Sequence, residues 1–141
     1  MKKIFFGVVL SVFVFCQAWG AAYQLEKALM LLNDGQTDEA MAIVKIELEN
    51  NPRSSDNHMA MGLIWLERGN YEEAKNSLQE ALKIDRKIVA AHYMLAMIYE
   101  KEGDSQKAID KWQRIIKHSK DAALRSLAEK HIRQLKDENN D

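Results

Sequence analysis

Beyond about residue 20 the apolar residues of this 141-residue chain recur three and four apart, and no stretch alternates with period two for long enough to suggest a strand. Pro52 is the only proline. The pattern predicts helix nearly throughout. Within 56–67, at about 100° per residue, Met61, Gly62 and Trp65 fall on one side with His58 beside them. Met59, Leu63 and Leu66 fall on the opposite side, with Asp56 and Glu67 at its ends. A helix apolar on both sides is ordinarily buried all round. By contrast, Leu124, Leu127, Ala128, Ile132 and Leu135 make one stripe on a charged rod, which predicts a last helix over 122–135 with one face covering the domain and one meeting water. The polar segment from Lys136 to Asp141 reads as a disordered tail.

Glycines punctuate the helical pattern at a fixed interval. Gly35, Gly69 and Gly103 stand 34 residues apart, and Ala40, Ala74 and Ala108 repeat the interval. A period of 34 is the repeat length of a helix–turn–helix solenoid. Each glycine suits the left-handed turn just past a helix C-terminus. Asn70 and Asp104 then stand where they can cap the next helix, and Asn70 with Glu73 predicts a capping box. The repeats run 21–54, 55–88 and 89–122, and the length suits one small domain.

The second repeat carries Met61, Gly62, Trp65, Ala74, Leu78 and Ala81, and Gly69-Asn70-Tyr71-Glu72-Glu73-Ala74 is close to a consensus. The third offers Leu95, Ala96, Tyr99, Ala108 and Trp112; the first offers Ala28, Leu31, Ala40, Val44 and Pro52. On these residues the chain resembles the tetratricopeptide repeat family over 21–122. It departs from the family pattern at Gln24, His58 and His92, where an aromatic is usual, at Lys27 and Glu47 in the first repeat, and at Arg86 and Lys120, where the closing proline would stand. The resemblance implies an all-α fold: a right-handed α–α solenoid of three tetratricopeptide-like helix–turn–helix repeats with a C-terminal capping helix.

A stack only three repeats thick has no internal partner for the second apolar side of its first helices. That side is expected to line a concave groove formed by Leu25, Leu29, Leu32, Met59, Leu63, Leu66, Tyr93 and Met97, rimmed by Asp56, Glu67, Glu100 and Lys101. Exposed apolar patches of this kind mark interaction sites, and an amphipathic helix or extended apolar segment is the expected occupant. The same residues would also serve as plain core or as a homodimer contact. Chaperone-binding members of the family grip a C-terminal carboxylate with Lys, Arg and Asn on the first helices. The corresponding positions here are Leu, Met, Tyr and Ala, so that mode is not expected.

Residues 1–20 have a different character. Met1-Lys2-Lys3 is basic, Ile4 to Phe15 is apolar apart from Gly7 and Ser11, and Ala18-Trp19-Gly20 puts small residues before a cut. This is the form of a secretory signal peptide, cleaved after Gly20 or Ala22. Retention as a membrane anchor is the alternative, although the run is short for a spanning helix. Cys16 invites a lipoprotein reading, but Phe13-Val14-Phe15 lacks the small residue expected before the cysteine. It is the only cysteine, so the exported domain would have no disulfide, thiolate zinc site or cysteine nucleophile. A periplasmic or secreted location follows as the expectation.

Charge and motifs narrow the function. Twenty Lys and Arg face 21 Asp and Glu, which gives no basic excess for nucleic acid. No Gly-x-Ser-x-Gly, phosphate loop or His-Glu-x-x-His is present, so no catalytic activity or cofactor is expected. His58 and His92 occupy equivalent repeat positions, but a zinc site needs three or four ligands, and helix packing is the better reading. Lys107, Lys111, Arg114 and Lys117 form a basic stripe that reads as a solvated face, with an acidic partner or anionic lipid as the alternative. The expected function is a non-enzymatic protein-binding module or assembly scaffold in the bacterial cell envelope. The alternatives are a self-associating structural oligomer, or an accessory subunit of an envelope machine for pilus assembly, outer-membrane assembly or cytochrome maturation.

Overall fold

The computed structural model describes residues 20–138, and the expected signal segment lies outside the described residues except for Gly20. Seven helices and no strand occur among them: α1 (20–33), α2 (Thr37–Asn50), α3 (Ser55–Glu67), α4 (Tyr71–Ile84), α5 (Val89–Lys101), α6 (Ser105–His118) and α7 (Ala122–Glu138). The length suggests one small domain, yet the chain divides into two compact units, the first ending at Arg53 and the second beginning at Ser54. The boundary falls where Pro52, which has no N–H to donate, follows the end of α2.

The first unit holds one helix–turn–helix, α1 and α2, with Ala28, Ala40, Met41 and Val44 buried. The second holds two more, α3–α4 and α5–α6, closed by α7, and successive helices pack in chain order.

One turn recurs at all three glycines. At Gly69 the amide donates to the Leu66 carbonyl at 2.9 Å and the Asn70 amide to the Trp65 carbonyl at 2.9 Å, which is the Schellman pattern. The same two bonds form at Gly35 and at Gly103. The three glycines have φ of 78°, 71° and 76°, and no other described residue has a positive φ. This geometry is the physical content of the 34-residue interval.

The caps differ from the expectation in one respect. Asn70 Oδ1 accepts from the Glu73 amide at 3.2 Å and Asp104 Oδ1 from the Lys107 amide at 3.1 Å. The return half of a capping box does not form at Asn70, because the Asn70 N–H is already given to Trp65. At the C-terminus, Asp121 Oδ1 accepts from the Ala123 amide at 2.8 Å and starts α7. That helix runs to Glu138, past the expected end at 135, so residues 136–138 of the expected disordered tail are helical. Leu135 is buried in its last turns and anchors them, while the added residues face water.

The core of the second unit centres on Leu78, Leu95, Trp112 and Ile115, all at 0% exposure. Small residues set the helix spacing. A Cβ at Gly62 would lie 2.7 Å from the Leu78 side chain, so α3 and α4 meet through the missing methyl. Polar ties join consecutive hairpins. Lys75 on α4 donates to Glu102 at 2.7 and 2.9 Å, and Glu102 first and Glu72 second raise its pKa. Lys101 donates to the Tyr71 hydroxyl and lies over that ring.

Candidate functional site

The first helices of the second unit, α3 and α5, are apolar nearly all round. On α5, Ala91, Met94, Leu95, Ala96, Ile98 and Tyr99 are buried, and Tyr93 and Met97 still reach solvent at 36% and 41% exposure. On α3, Met59, Leu63 and Leu66 are half-buried and pack against the core cluster from its edge. The second helices are one-sided. α4 buries Ala74, Leu78 and Ala81, and α6 buries Ala108, Ile109, Trp112 and Ile115.

α7 belongs to the same face. Leu127 stands 34 residues after Tyr93, and His131 stands 34 after Met97. It therefore occupies the first-helix place of a fourth repeat whose second helix is not among the described elements. Leu127 is exposed. The His131 ring stacks on Trp112 at 4.4 Å and 21°, and its Nδ1 donates to Glu100 Oε1 at 2.9 Å. Trp112 Nε1 donates to the same oxygen at 2.5 Å, and Tyr93 meets Trp112 edge-on at 5.5 Å. Glu100, expected on the rim, is thus a half-buried link between α5, α6 and α7. Trp112 is core, as its repeat position suggests, and Trp65 is half-buried with the Arg68 guanidinium over its ring.

The predicted residues separate by unit. Leu25, Leu29 and Leu32 lie on α1, the first two about one turn apart, with Leu29 exposed and Leu25 and Leu32 half-buried. Met59, Leu63, Leu66, Tyr93 and Met97 lie on α3 and α5 of the second unit. Leu127, expected in the stripe that covers the domain, is instead exposed, and His131 was not among the expected site residues; both stand one 34-residue step beyond α5, past the expected end of the third repeat at 122.

His92 fills its aromatic position as a buried side chain, with Nε2 donating to the Arg86 carbonyl at 3.0 Å. Its ring stacks on His118 at 6.2 Å. Among the described residues no cluster of three His, Cys, Asp or Glu could hold a metal, and no helix is long and apolar enough to cross a membrane.

The family model described as tetratricopeptide repeat matches residues 59–129, half of the chain. The chain belongs to the tetratricopeptide repeat family. It is a tetratricopeptide protein-interaction module, of a fold that typically serves as a non-catalytic binding scaffold. Superkiller complex protein 3 of Homo sapiens is 28% identical over 114 residues, covering 79% of this chain and 7% of that protein. Type IV pilus assembly protein PilF of Pseudomonas aeruginosa is 34% identical over 61 residues, 43% of this chain and 24% of that one. The chain therefore spans only a small part of the length of the curated relatives it matches.

Among solved structures, the Yersinia enterocolitica type III secretion chaperone SycD in complex with a peptide of the translocator YopD superposes with a TM-score of 0.75. It is 13% identical, over 82% of this chain and 92% of that one. The first tetratricopeptide domain of Spaghetti (RPAP3) bound to the HSP90 peptide SRMEEVD superposes at 0.74 with 13% identity, over 86% and 94%. At such identities these likenesses speak for the fold.

Proposed function

We propose that this tetratricopeptide protein is a non-catalytic binding module or assembly scaffold of the bacterial cell envelope, and that it seats an apolar or amphipathic segment of a partner protein on its first-helix face. The observation that carries this reading is the exposure of Tyr93 and Met97 on a helix that is otherwise buried nearly all round, with Leu127 exposed on the next first-helix position. Burial of each large apolar side chain contributes roughly 1.5–3 kcal/mol before ordering costs. Methionine adapts to irregular partners. The peptide complex of SycD supports the choice of a peptide-like occupant.

The HSP90 peptide held by the RPAP3 domain is acidic. The positions held by Met59, Leu63, Tyr93 and Met97 carry no cation to receive such a sequence, so the apolar segment is preferred here. Export rests on the basic, apolar and small-residue sections of residues 1–20. A second reading, an accessory role in pilus assembly, is favoured by the local likeness to PilF.

The test is site-specific photocrosslinking in the native envelope. A crosslinker at position 97 is expected to yield discrete adducts through an apolar partner segment, lost when Tyr93→Glu is added. A crosslinker at Gln106, exposed on α6, is expected to yield none of them. Equal adducts from both positions would contradict the face assignment. Fractionation of the same cells tests the location: a wholly cytoplasmic protein would contradict export.

A further inference from the structure

One stripe recurs on the first helices. On α5 it is Ala91, Met94, Leu95 and Ile98, at 0, 9, 0 and 2% exposure, in a helix that packs on both α4 and α6. On α3 it is Asn57, Ala60, Met61 and Ile64, all buried. One repeat earlier the same four positions are Tyr23, Glu26, Lys27 and Met30 of α1, and all four are exposed. Tyr23 and Met30, at 64% and 58%, are the two most exposed large apolar side chains among the described residues. The hairpin packing of the first unit uses another side of α1, where Ala28 is buried.

The composition of this stripe is neither core nor plain surface. A repeat that merely ends a solenoid needs a polar outer face, and Tyr23 and Met30 do not supply one. Spacings of three and four put the four residues on one face of the helix. Their order is apolar, acid, base, apolar, and it reads the same from either end. Set antiparallel against itself, the stripe places Tyr23 opposite Met30 and Glu26 opposite Lys27, twice over about a two-fold axis. Set parallel, it would place Glu26 on Glu26 and Lys27 on Lys27. None of the described ion pairs uses either residue, so both charges are available.

We propose that the exposed stripe of α1 is a contact for a second copy of this chain, which pairs antiparallel through Tyr23, Glu26, Lys27 and Met30. Each copy presents the same patch, so the contact is isologous and association stops at two. Four residues a side are far fewer than the roughly 20–30 of a stable interface, so the dimer is weak and concentration-dependent. A leader cut after Gly20 or after Ala22 leaves all four residues on the chain. The contact uses first-unit residues alone and stands independently of the partner face proposed above.

The test is sedimentation of the full chain, with the N-terminus the cell leaves on it, from about 1 μM to 1 mM at low ionic strength, where exposed charge pairs are least screened. A monomer–dimer equilibrium is expected, weakened by added salt. Tyr23→Ala with Met30→Ala is expected to abolish it. Glu26→Lys alone and Lys27→Glu alone each turn two attractive pairs into two repulsive ones, and each is expected to weaken the dimer about tenfold. The double variant Glu26→Lys with Lys27→Glu restores complementarity and is expected to recover the original affinity. All four positions are exposed, so helicity by circular dichroism should stay unchanged in every variant. Met97→Glu is expected to leave the equilibrium as it is. A monomer at every concentration, or a double variant no tighter than the singles, would overturn the proposal. So would a dimer abolished by Met97→Glu, which assigns self-association to the first-helix face, or one that forms only while residues 1–19 remain, which assigns it to that segment.

Discussion

The first and second helices of the repeats solve different problems. α4 and α6 bury a single stripe of alanines and large residues and give the rest of their surface to charge. α3 and α5 are apolar on nearly every side, and α5 nevertheless leaves Tyr93 and Met97 in solvent. A second helix is satisfied once its stripe is covered. A first helix of this composition is left with apolar surface that its own unit does not cover, and exposed apolar surface of this sort is where partners bind. The difference can be probed by substitutions whose costs should diverge.

The largest effect is expected at Trp112, which lies in the α6 stripe at 0% exposure, with its Nε1 on Glu100. Trp112→Ala should cost about 3–5 kcal/mol in denaturant unfolding, because it opens a cavity and releases His131. Two glycines then separate packing from backbone. Gly62→Ala forces a methyl into Leu78 and should cost about 1–3 kcal/mol. Gly69→Ala meets no atom within 4 Å, and its expected cost of about 1–2 kcal/mol comes only from holding alanine at φ 71°. Equal losses at Trp112 and Gly69 would erase the distinction between stripe and turn.

A pH effect of smaller size should come from His92. Burial first, then Lys111, His118 and Arg114, hold its pKa below the usual imidazole value, with the Arg86 carbonyl acting the other way. The unfolded chain therefore binds more protons below about pH 6.5. Stability is fully present above that pH and falls as the pH drops through it. Unfolding curves between pH 7.5 and 5.5 should show the decline, and His92→Leu should flatten it. The smallest change is expected at Met97→Glu, which should alter stability by no more than about 0.5 kcal/mol at an exposed position while removing partner capture.

Much of the fold was legible because one backbone requirement, a left-handed residue after each first helix, printed glycine at residues 35, 69 and 103. The alanines at 40, 74 and 108 were equally readable, since each is buried where two helices meet. The site was less legible. Periodicity says which side of α3 and α5 a residue occupies, but not how far a neighbour covers it, so Met59 and Leu63 read like Met97 although they are half-buried. Glu100 looked like rim because its two partners, Trp112 and His131, come from other helices. His92 looked like a replaced aromatic, and its unpaired Nδ1 follows from the turn that brings the Arg86 carbonyl to Nε2.

The most direct measurement is a comparison of backbone amide exchange in the second unit, free and with the partner segment identified by crosslinking from position 97. Slowed exchange and shifted resonances confined to α3, α5 and α7, around Leu63, Met97 and Leu127, is the predicted result. Protection centred on the outward residues of α4 and α6, with the first helices unchanged, would contradict the account.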